Sequence, residues 1–332
     1  MTRPAPRPVS LALQGGGAHG AFTWGVLDAL LEDGRLDIRA ITATSAGAMN
    51  ACALAMGRVE DGADGARAAL ERFWRAVSRA GGPFRPAGLA KLFPLLDAFS
   101  RLTSPYDVNP FGYDPLREIL ADQIDFKAVR ACQDTRLFIS ATCVETGRAR
   151  IFSGDQVTLD AVRASATLPF IHQAVEIDGR AFWDGGFTGN PALWPLFYAD
   201  TPGDLLIVHI NPMLREGTPK SATDIIDRAN EITFNASLLA ELRAVAFVQR
   251  LHDEDMLTHG ARAKLRTIRV HAVRADDALK AYPASTKYDT SWRFLTGLRD
   301  LGREAGHAFL ERHADQVGEA GTVDLKRAFL DG

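Results

Sequence analysis

The sequence predicts an α/β fold in which helices layer onto a mixed, mainly parallel sheet. Short apolar runs alternate with segments whose apolar residues recur at helical spacing, and glycine turns join several of them. A chain of 332 residues that is 46% hydrophobic and 24% charged holds enough apolar surface for a large globular unit. No repeat, low-complexity tract or long linker marks a boundary, so residues 1–332 are read as a single domain.

The elements follow in order. Residues 9–13 are a short apolar run that leads into Gly15, Gly16 and Gly17, and residues 18–32 then place Phe22, Val26, Leu27, Leu30 and Leu31 at helical spacing. That is a strand, a glycine turn and a helix. Residues 38–42 read as a second strand, and residues 46–57, rich in alanine and methionine, as a buried helix. Residues 65–79 form the next helix, with Leu70, Phe73, Trp74 and Val77 on its core face. Further strands are expected at 136–144, 149–152, 174–177, 180–183, 205–210 and 267–273, and long helices at 222–255 and 291–313. His209, inside an apolar strand, reads as a buried histidine, and residues 250–255 as a solvated helix end.

Composition excludes several function classes. A net charge of −3 gives no electrostatic reason to expect nucleic acid as a partner. No run approaches the roughly 18 to 20 uninterrupted apolar residues of a membrane span, so membrane contact would be peripheral. The opening residues carry three prolines and no apolar core of signal-peptide length, and the expectation is a cytoplasmic protein whose mature form is the whole chain. Cys52, Cys132 and Cys143 lack metal-ligand spacing, so neither a disulfide nor a zinc site is expected.

Three motifs carry chemistry. A serine hydroxyl needs a base to take its proton and a turn tight enough to expose its oxygen. The window Ala43-Thr44-Ser45-Ala46-Gly47 lies where a strand passes into a helix, with Ala43 in place of the usual first glycine. The elbow holds only if that methyl group packs. Taken alone, Ser45 reads first as an N-cap opening a buried helix. Gly15, Gly16 and Gly17 stand between strand and helix, where successive N–H groups can converge on a phosphate or an oxyanion. Gly15, Gly17 and Gly20 also spell GxGxxG, with Asp37 about 20 residues on, the pattern of a dinucleotide fingerprint. That reading leaves Ser45 and Asp184 unexplained. In Phe182-Trp183-Asp184-Gly185-Gly186-Phe187 a carboxylate closes an apolar strand beside two glycines, placed to be partly desolvated and still reach a neighbour. Read alone, it is an Asp-Gly hairpin turn.

Taken together, Gln14-Gly15-Gly16-Gly17-Ala18-His19-Gly20-Ala21, Thr44-Ser45-Ala46-Gly47-Ala48, Ala164-Ser165-Ala166-Thr167-Leu168-Pro169-Phe170 and Asp184-Gly185-Gly186 resemble, in that order, the signature of the patatin-like phospholipases. The resemblance implies a three-layer α/β/α patatin-like fold and a serine acyl hydrolase that uses a Ser-Asp dyad in place of a triad. Ser45 would be the nucleophile and Asp184 the base. The N–H groups around Gly15, Gly16 and Gly17 would form the oxyanion hole, Ala43 and Gly47 the elbow, and Gly185 and Gly186 the DGG motif. Such chemistry calls for no metal and no cofactor. The implied substrate is a lipid or other ester, cleaved through an acyl-enzyme in the manner of a phospholipase A or carboxylesterase. An intracellular polyhydroxyalkanoate depolymerase on the same dyad and a non-catalytic nucleotide- or phosphate-binding module are the alternatives. His19 stands where the family often has arginine or lysine; it is read as contacting an anionic headgroup or packing the loop, not as the base.

Residues 81–114 read as a lid or insertion, because prolines and glycines interrupt apolar clusters there. Within it, Leu92, Phe93 and Leu96 fall near helical spacing and are candidate substrate contacts; a core helix broken by Pro94 is the competing reading. Residues 221–332 form a helical C-terminal part of the same domain and carry no chemical motif. Covering the sheet, extending an acyl pocket and forming a homodimer surface are the uses left open.

Overall fold

The computed structural model describes residues 5–81, 104–109, 112–169, 171–274 and 276–330. Most of the expected lid, with Leu92, Phe93 and Leu96, lies outside the described residues. The described strands are β1 (Arg7–Leu13), β2 (Leu36–Ala43), β3 (Arg136–Cys143), β4 (Ala149–Ser153), β5 (Val175–Ile177), β6 (Arg180–Asp184), β7 (Asp204–His209) and β8 (Arg269–Arg274). They form one sheet in the order β5-β6-β3-β2-β1-β7-β8, with β4 paired to β3.

The run β3-β2-β1-β7-β8 is parallel, and β4, β5 and β6 add an antiparallel flank. Parallel strands need helices on both faces, which is why β7 is buried at every position and reads as an unbroken apolar run. Alternation sorts the side chains: Leu11 and Leu13 enter one core with Phe22 and Leu70, while Ala12 enters the other with Ile207, Leu238 and Leu242. The layers are therefore helix, sheet, helix.

Four long helices make up most of those layers: α1 (Gly20–Asp33), α2 (Ala46–Gly81), α3 (Ala222–Asp253) and α4 (Trp292–His313). The two helices expected between residues 46 and 79 are two arms of α2, broken at Asp61 and Gly62, where Gly62 has φ 55°. Helices α1 and α4 cross at backbone contact: a Cβ on Gly25 would lie within 1.9 Å of the Arg299 carbonyl oxygen. Only glycine permits that approach. Phe73, Trp74 and His209 are buried as expected.

Register decides where the site lies. Leu13 stands opposite Ala43 and Val208, and Ala43 opposite Ile139, so the C-terminal ends of three central strands finish at one edge. In open α/β sheets that edge is where crevices for ligands form.

Candidate active site

The elbow forms at that edge. β2 ends at Ala43, Ser45 takes φ 54°, and α2 begins at Ala46. A left-handed serine costs roughly 1–2 kcal/mol and marks a turn in which the surroundings over-determine the backbone. The Ala43 methyl is fully buried in the core beside Leu13 and Ile139, which meets the condition set by the missing first glycine. At Gly47 a Cβ would lie 2.4 Å from the Leu13 carbonyl oxygen, so the helix can start against β1 only with glycine there. Thr44 Oγ1 donates to the Gly189 carbonyl (2.7 Å), and the Ser45 N–H donates to Ser165 Oγ (2.9 Å).

Ser165 joins the elbow to Asp184. Its carbonyl accepts the Gly185 N–H (3.2 Å), and the Thr167 carbonyl accepts the Asp184 N–H (2.7 Å). The Asp184 carboxylate accepts the Gly186 N–H (2.7 Å) and stands close enough to the Ser45 hydroxyl to be influenced by it. Asp184 is 2% exposed. Burial pushes its carboxyl up to about 7, against the opposing pull of the Gly186 hydrogen bond, the Ser45 hydroxyl and the field of Lys287. A carboxylate poised there beside a serine hydroxyl has the basicity to take that hydroxyl's proton. At Gly185 a Cβ would meet the Ser140 carbonyl at 2.2 Å, which explains the first glycine of the DGG motif.

The glycine loop faces the elbow closely: a Cβ on Gly15 would sit 2.7 Å from Ser45 Cβ. Its N–H is already committed, donating to Asn190 Oδ1 (2.7 Å). Gly15 is therefore a close-approach residue, and the expectation that it supplies an oxyanion donor is corrected on that ground. Among the described residues the N–H groups of Gly16 and Gly17 meet no protein acceptor. Gln14, fully buried, anchors the loop: its Oε1 accepts from the N–H groups of Ile210 (3.0 Å) and Asn211 (3.1 Å), and its Nε2 donates to the Asn190 carbonyl (3.2 Å) and Asn235 Oδ1 (3.3 Å). Asn211 Nδ2 donates to the Gly15 carbonyl (2.8 Å).

His19 lies beneath this loop, 1% exposed, with its Nε2 at 2.8 Å from Thr286 Oγ1. Thr286 donates its own hydroxyl proton to the Pro283 carbonyl (2.7 Å), so Nε2 carries the imidazole proton and Nδ1 is bare. Among the described residues Nδ1 has no hydrogen-bond partner, Ser45 included. Burial and the nearby cations Lys287 and Arg215 press its pKa down to about 3. A neutral, enclosed ring packed on Tyr282 and Phe294 is a loop support, and the headgroup contact expected of it is corrected accordingly. Asp37, the acid of the nucleotide reading, stands at the start of β2 paired with Arg39, about 20 Å of strand away from the elbow.

The structure thus brings together Ser45, Asp184, the glycine loop, Gly47 and the DGG glycines. It adds residues that nothing in the sequence singles out: Asn190, Asn211, Asn235, Thr286 and Lys287. They act through scattered side-chain atoms and leave no pattern of spacing.

Residues 11–197 match the family model described as Patatin-like phospholipase. No curated protein matches the chain. Two solved structures are similar in fold at low identity. VipD from Legionella pneumophila is 14% identical with a TM-score of 0.45, over 98% of this chain and 73% of VipD. ExoU from Pseudomonas aeruginosa, in complex with SpcU, is 15% identical with a TM-score of 0.33, over 92% of this chain and 53% of that one.

Proposed function

Because the chain belongs to the patatin-like phospholipase family and is an ester hydrolase of that family, we propose that it cleaves acyl lipids through Ser45 and Asp184. The observation that carries the assignment is a left-handed, strand-end serine set beside a buried carboxylate, with Ser165 hydrogen-bonded to both segments.

Ser45 Oγ attacks the acyl carbonyl carbon while its proton passes to Asp184. The carbonyl oxygen becomes an oxyanion, held by the Gly16 and Gly17 N–H groups in the turn that leads into α1. The tetrahedral intermediate collapses, the ester C–O bond breaks, and the leaving alcohol takes the proton from Asp184. Water then gives a proton to Asp184 and attacks the acyl-enzyme, and the fatty acid departs as Ser45 recovers its proton. Acyl lipids reside in bilayers and micelles, so peripheral contact with such a surface is part of the proposal. Among the described residues no helix is long and apolar enough to cross a membrane.

The test is fluorophosphonate labelling with peptide mapping on the wild type, Ser45→Ala and Asp184→Asn. Labelling of the wild type at Ser45, its absence in Ser45→Ala and its collapse in Asp184→Asn are expected, with long-chain ester hydrolysis falling in parallel. Labelling at another residue, or ester turnover retained by Ser45→Ala, would overturn the dyad.

A further inference from the structure

The antiparallel flank of the sheet holds a cavity of its own. Alternation along β3, β4, β5 and β6 puts Cys143, Arg150, Phe152, Ile177, Arg180 and Phe182 on one face, with Cys143 opposite Phe182 and Ile177 opposite Arg180. The short helix Leu159–Ala164 packs on β3, β5 and β6 without lining the outer corner of this face. There the β3–β4 turn, through Thr146 and Arg148, and the β5–β6 turn, through Asp178, enclose a cavity of about 470 Å³. That is the size of a small-molecule site.

The cavity is apolar below and cationic above. Phe152 and Phe182 are buried in its floor and meet edge to face, their ring centroids 5.6 Å apart, with Ile177 half-buried beside them. Arg148, Arg150 and Arg180 stand exposed on its rim, and the Arg150 guanidinium lies 5.6 Å from the Phe152 ring centroid, so rim and floor adjoin. Two carboxylates share the corner. One is Asp178; the other is Glu145, which accepts the Ala181 N–H (3.1 Å) and the Cys143 thiol (3.0 Å) and attracts Arg180 from a distance. Among the described residues none of the three guanidiniums forms an ion pair with either carboxylate. Three cations against two anions leave the mouth positive over an apolar floor.

Guanidinium forks match a carboxylate in pairs of hydrogen bonds, and an aromatic floor takes up an alkyl chain. A sugar would find no polar partner on that floor, where the one heteroatom, the Cys143 sulfur, is committed to Glu145. We propose that this cavity binds a single-chain amphiphile with a carboxylate head, of the fatty-acid class, at a site separate from the dyad. Its lining includes no residue of the candidate active site, although Phe182 stands two residues from Asp184 on β6. The proposal stands whether or not Ser45 and Asp184 form the dyad.

The test is photo-crosslinking with a dodecanoate analogue that carries a diazirine in its chain, used below its micelle concentration, followed by peptide mapping. The expected crosslinks fall within residues 143–152 and 175–182 of the wild type, and dodecanoate competes for them far better than dodecanol. They should drop about tenfold in the double variant Arg150→Gln/Arg180→Gln and return in large part in Arg150→Lys/Arg180→Lys. Both variants should keep the Tm and the ester turnover of the wild type, since these side chains are exposed and touch no reacting atom. Crosslinks confined to the glycine loop and the elbow, cavity crosslinks undiminished in the glutamine pair, equal competition by dodecanol, or no crosslinking at all would overturn the site. None of these outcomes bears on Ser45, which fluorophosphonate labelling tests separately.

Discussion

The two regions that meet at the site are built on different terms. Residues 11–197 contribute the glycine loop, the elbow, Ser165 and Asp184, and most of these positions are dictated by backbone geometry. Ser45 must be left-handed, Gly47 must pass the Leu13 carbonyl, and Gly185 must pass that of Ser140. The region from β7 onward contributes Asn211, Asn235, Thr286 and Lys287, each through polar atoms at the end of an ordinary side chain. Backbone demands restrict residue type at consecutive positions and so write a motif. Side-chain demands restrict one atom and write none.

The contrast predicts that the first region sets whether the reaction occurs and the second how well it is supported. Ser45→Ala should lower ester turnover by at least about 10⁴-fold while the protein folds normally, because the proposed nucleophile has no substitute in the site. Alanine at φ 54° is strained about as much as serine is, so thermal unfolding should shift little. A variant in the second region with an equal loss would erase the distinction.

Close approach gives the next largest effect. Gly15→Ala adds a Cβ 2.7 Å from Ser45 Cβ and 3.1 Å from the Thr44 carbonyl oxygen, so the nucleophile must move. Displacement of this size costs on the order of 100-fold in rate. Turnover by Gly15→Ala equal to wild type would show that the loop does not position Ser45. Gly17→Ala probes the same loop from the other side, since φ is 58° there and the new Cβ would meet the Lys287 carbonyl at 2.5 Å.

The pH profile sharpens the assignment of the base. As the proposed base Asp184 must be ionised in the free enzyme, and burial raises its carboxyl from 3.8 to about 7, so kcat/KM should fall about tenfold for each pH unit below 7. Stability moves the other way. A raised folded pKa gives a contribution that is complete below 3.8 and is lost as pH rises through about 7, so Asp184→Asn should gain stability over the wild type at pH 8 more than at pH 5. Glu241, which burial also lifts to about 7, accepts the N–H groups of Leu193 and Trp194 and titrates in the same window. The kinetic limb should therefore persist in Glu241→Gln. Its disappearance there would move the limb from Asp184 to Glu241.

Most of the fold was legible in the sequence for the reason the first region was. Every described strand lies within two residues of its apolar run, and for the parallel strands the reason is that burial on both faces leaves continuous apolar stretches. The short helices Pro115–Gln123, Phe126–Ala131 and Leu159–Ala164 were not foreseen, although Asp114, Asp125 and Thr158 cap them. Six to nine residues are too few for helical periodicity to declare itself. Of the candidate site, the meeting of Ser45, Asp184 and the glycine loop at one sheet edge follows from the ordered motifs. The occupation of the Gly15 N–H by Asn190 does not, since it depends on a loop 175 residues away.

The smallest expected effect lies where the two regions touch beneath the loop. Thr286→Val removes the hydroxyl that accepts from His19 Nε2, and Nδ1 already has no hydrogen-bond partner among the described residues. The ring would then keep a buried N–H with no acceptor, at a cost of about 1–3 kcal/mol. The fall in Tm should be several degrees, since about 1 kcal/mol corresponds to roughly 2–4 °C in chains of 150–250 residues. Ester turnover below the transition should stay within about threefold of wild type, because His19 and Thr286 support Gly17 without touching the reacting atoms. A rate loss as deep as that of Gly15→Ala, with little change in Tm, would instead place His19 among the groups that handle the proton.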